Sequence, residues 1–368
     1  MVKVAKKIGK AIAKGVKKLI YKYDMLKDGV TTSMIKKWRD DRESARLSYI
    51  EGWYNPVSSL ALMYGTASHW CLEQIYHRGK LPWSDEKIRL LIKEYDEWYR
   101  EHRGRGPWLA AETDNHQRTL GLLSAVMPAY MRRICMKDSL YNDCKREWVS
   151  LETTFEIPIE ISVLAIIDCP DKKSGKPEYA HMNVTIPVRG RIDGVFRYKG
   201  KLWVLETKNL SMIDEDGIMQ KLPRDLQSNI YITAVRKKFP KEKVGGILYN
   251  IMRRPGLRLG KTETEAELIK RVVKHIKEKP DHYFMRFEAA ISQKEQDAFV
   301  EKRLKPTLIS MYEWWEDVTL NDGRRLHYDN DEALLTKYGH SPYFHAITKG
   351  DYSSLRKRSV VFSELEEI

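Results

Sequence analysis

Two runs rich in β-branched and aromatic residues, Arg191–Tyr198 and Leu202–Lys208, are separated only by Lys199-Gly200, which reads as the tight turn of an antiparallel hairpin. No other segment constrains the chain as strongly. Side chains alternate across a strand, so Glu206 and Lys208 emerge on one face, and the turn brings Asp193 alongside them. Thr207 points away, although its carbonyl can turn toward the same point. The glutamate follows the apolar run Leu202-Trp203-Val204-Leu205. Acids and an ammonium gathered at the end of a buried strand call for a further cation. Mg²⁺ or Mn²⁺ would keep both carboxylates ionised, and the lysine could then orient or deprotonate a water attacking phosphorus. An exposed salt-bridge cluster is the plain alternative for an isolated glutamate-x-lysine, and the apolar strand before Glu206 weighs against it.

Around this hairpin the period of the sequence changes. Upstream it is helical: Thr31-Thr32-Ser33 can cap a helix running to about Trp53, another starts near Ser59 and carries His69, and helical spacing continues through residues 85–138 with a break at Gly104-Arg105-Gly106-Pro107. From about Glu147 strands follow, at Thr153–Pro158, Val163–Asp168 and Met182–Val188, and later at Gly246–Met252 and Tyr283–Ala289. Helices are expected at Arg224–Lys238, Thr264–Lys279 and Gln293 to about Val318, before an irregular polar tail from Asn321. The class is α/β, a central mixed sheet of roughly five strands flanked by helices. Four regions are expected: a basic arm over 1–30, a helical portion over 31–145 carrying His69, the core over 146–320, and a tail over 321–368 packed on the core.

With 65 Lys and Arg against 51 Asp and Glu, the net charge is +14. That favours a polyanionic partner, nucleic acid before an anionic membrane. Residues 1–23 alternate lysines with apolar residues at helical spacing. They read as a DNA-binding arm, a helix docked on protein, or an interfacial helix, the last disfavoured by its few bulky apolar residues. No apolar run approaches the roughly 20 residues of a membrane span. Four cysteines without a CxxC pair, and no secretory signal, predict reduced thiols and a cytoplasmic protein.

Gly190-Arg191-Ile192-Asp193, then Glu206-Thr207-Lys208 after an apolar strand, then Gln227 to Tyr231 on the next helix resembles the RecB-type branch of the PD-(D/E)XK nucleases, particularly its phage exonuclease-like members. Gly65-Thr66-Ala67-Ser68-His69 is similar to that family's helical histidine motif, and Glu152 in Leu151-Glu152-Thr153 matches the acid on the first core strand. The resemblance runs from about Ser33 to the C-terminus and implies a restriction-endonuclease-like core. It implies metal ligation of one or two Mg²⁺ or Mn²⁺ ions by His69, Asp193, Glu206 and the Thr207 carbonyl, with Lys208 catalytic alongside Glu206 and Asp193. Glu152 would approach a second metal or steady this shell, while Gln227 and Tyr231 would contact the DNA strand or stand behind the site. Arg189 and Arg191 flank the acid strand and are placed to hold phosphates, a solvated arginine being the alternative.

Some relatives hold an iron–sulfur cluster through one N-terminal and three C-terminal cysteines. Here Arg42-Glu43-Ser44 and the stretch from Ala333 to Ile347 contain none, so no cluster is expected. A metal pair at His340 and His345 is a minor alternative to a polar tail. The resulting expectation is a metal-dependent DNA nuclease, an exonuclease in phage recombination, replication or processing, working in the host cytoplasm if phage-encoded. Its partners would be DNA and a single-strand annealing or replication protein, with a homo-oligomer left open. The alternatives are a non-catalytic DNA-end-binding protein on the nuclease fold, and an effector targeted to a membrane or partner by the N-terminal helix. No helix-turn-helix or zinc-finger pattern points to base readout.

Overall fold

The structure is a computed structural model that describes residues 21–102, 108–134, 142–167, 178–321, 323, 325–336, 339–362 and 365. Most of the expected basic helix over 1–23, the break at 104–107, Asp168, Cys135 and Cys169 lie outside the described residues. The chain divides into two compact units, Val57–Ser310 and a smaller one made of Met1–Pro56 with Met311–Ile368.

The larger unit begins with three helices, α1 (Leu60–Arg78), α2 (Asp85–His102) and α3 (Ala110–Ile134). Strands β1 (Glu147–Ile167), β2 (Glu178–Tyr198) and β3 (Lys201–Lys208) follow, then helix α4 (Leu226–Lys238), strand β4 (Val244–Met252), helix α5 (Glu265–Glu278) and strand β5 (Phe284–Ala290). The strands pair in chain order. β3 and β4 run parallel and the other neighbours antiparallel. Only the parallel pair needs a crossover, and α4 supplies it. This is a mixed α/β fold with a restriction-endonuclease-like core.

Local chemistry sets the ends of these elements. The Ser59 hydroxyl accepts from the Leu62 N–H to start α1, which stops at Gly79 with φ 58°. Thr264 and Glu267 close a reciprocal capping box on α5. The helices cover one face of the sheet, where Trp70, Tyr95, Leu123 and Tyr130 share a core with Phe196, Leu205, Leu248 and Phe284. The two strands expected on each side of residues 168–177 are in fact one long pair. Thr153–Pro158 joins Val163 onward in β1, and Met182–Val188 joins Arg191–Tyr198 in β2. Pro158, where the first strand was expected to end, sits directly opposite Pro187 in the ladder. Neither can donate an N–H, so this is a position where facing residues exchange no hydrogen bonds and the pair continues past it.

In the smaller unit the helix expected from Thr31 to about Trp53 is interrupted. Thr32–Asp40 ends at Asp41, whose carboxylate then accepts from the Glu43 and Ser44 N–H groups to start Arg42–Ala45. The tail is less irregular than its sequence suggests. Phe344–Lys349 is helical, and Arg356–Lys357 pairs with Trp53–Tyr54. Cys71 is a buried free thiol, whereas Cys144 is disulfide-bonded, correcting the expectation of reduced thiols throughout. Among the described residues no helix is long and apolar enough to cross a membrane.

Candidate active centre

The hairpin ladder between β2 and β3 runs only as far as the pair Gly194 and Leu205. Beyond it the strands part, and Asp193 takes over from the backbone: its Oδ2 accepts from the Thr207 N–H at 2.6 Å. On the other side of β2, the register passes from Leu151 opposite Gly194 to Thr153 opposite Ile192. Glu152 falls in the gap with φ 41°, a left-handed conformation that costs a residue with a side chain about 1–3 kcal/mol. Its carboxylate reaches the His69 ring carried by α1. His69 Nδ1 lies 3.8 Å from Glu152 Oε1 and 3.7 Å from Asp193 Oδ2, and one ligand atom from each of the three falls within 4.8 Å of the others.

Glu206 and Lys208 form an ion pair at the end of β3. Lys208 Nζ also donates to Gln227 Oε1 at 3.1 Å, and Gln227 Nε2 donates to the Tyr231 hydroxyl at 2.8 Å. Gln227 occupies the first turn of α4, fixed there because Asp225 accepts from the Ser228 N–H. Tyr231 is buried and meets the Phe155 ring edge-on. That contact explains the glycine three residues before Asp193: a Cβ on Gly190 would lie 2.7 Å from the Phe155 ring and 3.4 Å from Tyr231.

Thr207 faces the opposite side of β3 and is held by a buried chain of polar groups. Asn250 Nδ2 donates to Thr207 Oγ1 (3.2 Å) and to the Tyr130 hydroxyl (2.9 Å), and Arg286 Nε donates to Asn250 Oδ1 (2.8 Å). Arg286 in turn grips both oxygens of Asp143 at 2.7 and 2.6 Å, and Tyr76 donates to the same carboxylate. Sequence reasoning missed this network, because its members come from five elements with no fixed spacing. The alternation in β5 pointed the wrong way: Arg286 shares its phase with the exposed Glu288 and alternates with Met285 and Phe287, yet it is buried.

The electrostatics of the two faces differ. Burial pushes Asp193 up to about 6 and Glu206 up to about 7, with Lys208 and His69 only partly offsetting it. Burial alone would pull the His69 imidazole down, but Asp193 and Glu152 outweigh it and raise it to about 9. Lys208 is likewise raised by Glu206 and Asp193 against the desolvation that opposes them. Glu206 Oε2 is buried without a hydrogen-bond partner. Behind them, Arg286 and its neighbours hold Asp143 below the usual carboxylate range despite complete burial. The front of β3 is short of positive charge, and its residues fit a divalent cation.

The structure therefore brings His69, Glu152, Asp193, Glu206, Thr207, Lys208, Gln227 and Tyr231 into one neighbourhood. Arg191 and Arg189 precede Asp193 by two and four residues on β2, and Arg189 is engaged with Glu156 at 2.7 Å. A second group with ligand-like spacing, Glu43, His327 and Asp329, lies in the smaller unit. There Arg46 grips both Glu43 oxygens at 2.6 Å, and His327 Nε2 lies 2.7 Å from Glu43 Oε2. His327 Nδ1 accepts from Trp314 Nε1. His340 stacks on Phe344.

The family model of the PD-(D/E)XK nuclease superfamily matches residues 42–313. The chain belongs to that superfamily. Nuclease function and the use of divalent metal come with that membership, and the match takes in every residue of the cluster on α1, β1, β2, β3 and α4. No curated protein matches the chain.

Proposed function

We propose that this nuclease is a Mg²⁺- or Mn²⁺-dependent deoxyribonuclease, acting as an exonuclease in phage DNA recombination, replication or processing. The observation that carries the reading is the uncompensated acid cluster in front of β3. Glu206 is buried and Asp193 largely so, both are raised by that burial, and Glu206 Oε2 lacks a partner. A cation held by His69, Asp193 and Glu206, with Glu152 beside it, would supply Lewis-acid stabilisation of charge on the phosphoryl oxygens and lower the pKa of a water. The Lys208 ammonium, steered by Gln227 and Glu206, orients the attacking water and faces the charge that develops on phosphorus. Thr207, pinned by Asn250, keeps Glu206 and Lys208 on the working face. The charge of +14 supports a nucleic-acid substrate gripped through its phosphates, with a steep dependence on salt.

Cleavage of end-labelled linear DNA and closed circles, with Mg²⁺, Mn²⁺ or EDTA, tests this directly. Metal-dependent loss of linear DNA alone, abolished by Lys208→Ala, is the expected result. Nicked circles would make the enzyme an endonuclease. Tight binding without cleavage, unaffected by Lys208→Ala, would leave a DNA-end-binding protein on the nuclease scaffold.

A further inference from the structure

Beyond the carboxyl ends of β3 and β4 lies a second polar cluster that the acid cluster does not use. Lys208 and Ile251 pair in register at the ends of these parallel strands, and the two segments stay together afterwards. The Arg254 N–H donates to the Leu210 carbonyl at 2.9 Å, and Arg253 Nη1 donates to the Ser211 carbonyl at 3.2 Å. Crevices outside the carboxyl ends of parallel strands are where open α/β sheets take their ligands.

Four side chains here have unmet polar atoms. Asn209, next to Lys208, has both its amide nitrogen and its oxygen buried without a partner, and the same is true of the Nε atoms of Arg254 and Arg118 and of the Tyr64 hydroxyl. Tyr64 is fully buried. Arg118 spends one guanidinium nitrogen on the Leu257 carbonyl, at 3.3 Å. Asp114 and Glu265 border the same cavity as Arg118, yet among the described residues neither Arg118 nor Arg254 has a carboxylate within ion-pair distance. Burial lowers Arg254, and the Arg118 charge lowers it further, with only Tyr64 opposing. Two half-buried guanidiniums near enough for the charge of one to act on the other, without an acid, are unfavourable until an anion joins them. Tyr64 precedes His69 by five residues on α1, about 7.5 Å along the axis, and the space over the adjacent Gly65 is open.

We propose that Arg254 and Arg118, with Asn209 beside them, form an anion subsite that takes a phosphate of the nucleic-acid substrate next to the one being cleaved. The inference rests on the nuclease reading. Guanidinium forks match phosphate oxygens in geometry and charge, and the Asn209 amide adds a neutral donor at the junction with Lys208. Such a contact positions the strand without reading its sequence. The phosphate is either an internal phosphodiester or a terminal monoester, and both have the chemistry the subsite accepts.

The test is fluorescence anisotropy of the full chain in EDTA over a salt series. The probes are single-stranded and duplex oligonucleotides with 5′-phosphate, 3′-phosphate or hydroxyl ends, and cleavage kinetics are measured alongside with Mg²⁺. Arg254→Ala is expected to lower the slope of log Kobs against log salt by about 0.7 on single strands and about 0.9 on duplex, and to raise KM by a larger factor than it lowers kcat. Arg254→Lys should recover the slope. Lys201→Ala, at the opposite end of β3, should leave slope and kinetics unchanged. Equal losses on all ends indicate an internal phosphodiester, whereas disappearance of a preference for one phosphorylated end indicates a terminal phosphate. Should Arg254→Ala not fold, Arg118→Ala and Arg254→Gln are read the same way. An unchanged slope and KM in a folded Arg254 or Arg118 variant would overturn the subsite, even with cleavage intact. Wild type that binds without cutting, but loses slope on Arg254→Ala, would sink the nuclease reading and keep the phosphate site.

Discussion

Two groups in this molecule have the same ligand-like composition, one histidine and two acids, and opposite electrostatics. At His69, Glu152 and Asp193, with Glu206 adjoining, burial raises the Asp193 and Glu206 carboxylates, and Glu206 keeps an oxygen without a partner. At Glu43, His327 and Asp329, burial acts in the same direction on Glu43, but the Arg46 guanidinium and His327 overwhelm it and hold that carboxylate down to about 2. In the first group Lys208 and His69 only partly offset the burial of the acids, whereas at Glu43 the cations overcome it. Ligand spacing alone therefore does not mark a metal centre. The deciding quantity is whether the protein itself already neutralises the buried acids. It does so at Glu43, although the neighbouring Asp329 is raised by burial and by the Glu43 charge, whereas in front of β3 both Asp193 and Glu206 are left raised.

The contrast breaks most sharply at the lysine. Lys208→Ala should lower kcat on DNA by about 10³-fold, whereas Arg46→Ala, which removes the cation serving the other group, should leave kcat within about threefold for protein that remains folded. Steady-state cleavage assays decide between them. A smaller effect is expected from metal itself. Mg²⁺ or Mn²⁺ at about a hundred times its dissociation constant should stabilise the protein by about 2.7 kcal/mol, read as a rise in Tm that Asp193→Asn removes and Glu43→Gln preserves. Next, Glu43→Gln should destabilise the metal-free protein by about 1–3 kcal/mol, because Arg46 and His327 lose a charged acceptor. Denaturant unfolding measures it.

The smallest effect sharpens the comparison through pH. The Glu43 carboxylate is lowered, so its contribution is fully present above about 4.5 and is lost as pH falls through about 2. Asp193 and Glu206 are raised, so they cost stability progressively as pH climbs past 3.8 and 4.5 toward about 6 and 7. His69 adds in the same sense, since its stabilisation is complete below 6.5 and lost through about 9. The metal-free protein should therefore lose stability from the acid cluster as pH rises from about 4 to about 9. The Tm increment from divalent metal should grow over the same range, as ligands shed protons to bind. Thermal melts at several pH values, with metal and with EDTA, separate these slopes. Glu43→Gln should leave the metal-dependent slope alone.

Much of the front of the site was legible because it is local. Asp193, Glu206 and Lys208 are linked by one hairpin, and Gln227 and Tyr231 by one turn of helix, so alternation and helical spacing are enough to group them. His69 and Glu152 needed the family pattern, because nothing local shows that α1 and a left-handed residue in β1 converge on Asp193. The back of the site was not legible. Tyr76, Tyr130, Asp143, Asn250 and Arg286 meet only through tertiary packing, and each alone resembles a surface polar residue or a core aromatic. The strand boundary expected at Pro158 failed, because a proline that reads as an end by itself becomes harmless when Pro187 faces it across the ladder. The helix from Thr31 was read as too long, because Asp41 looks like one more polar residue until its carboxylate is seen capping the next turn.

The acid cluster in front of β3, and not the clasp around Glu43, is expected to take up a divalent cation. Mn²⁺ titration followed by electron paramagnetic resonance measures this directly, comparing wild type with Asp193→Asn and Glu43→Gln. Saturable uptake in wild type, lost in Asp193→Asn and retained in Glu43→Gln, is the predicted result. Saturable uptake that survives Asp193→Asn and disappears in Glu43→Gln would contradict it and move the metal centre to the smaller unit.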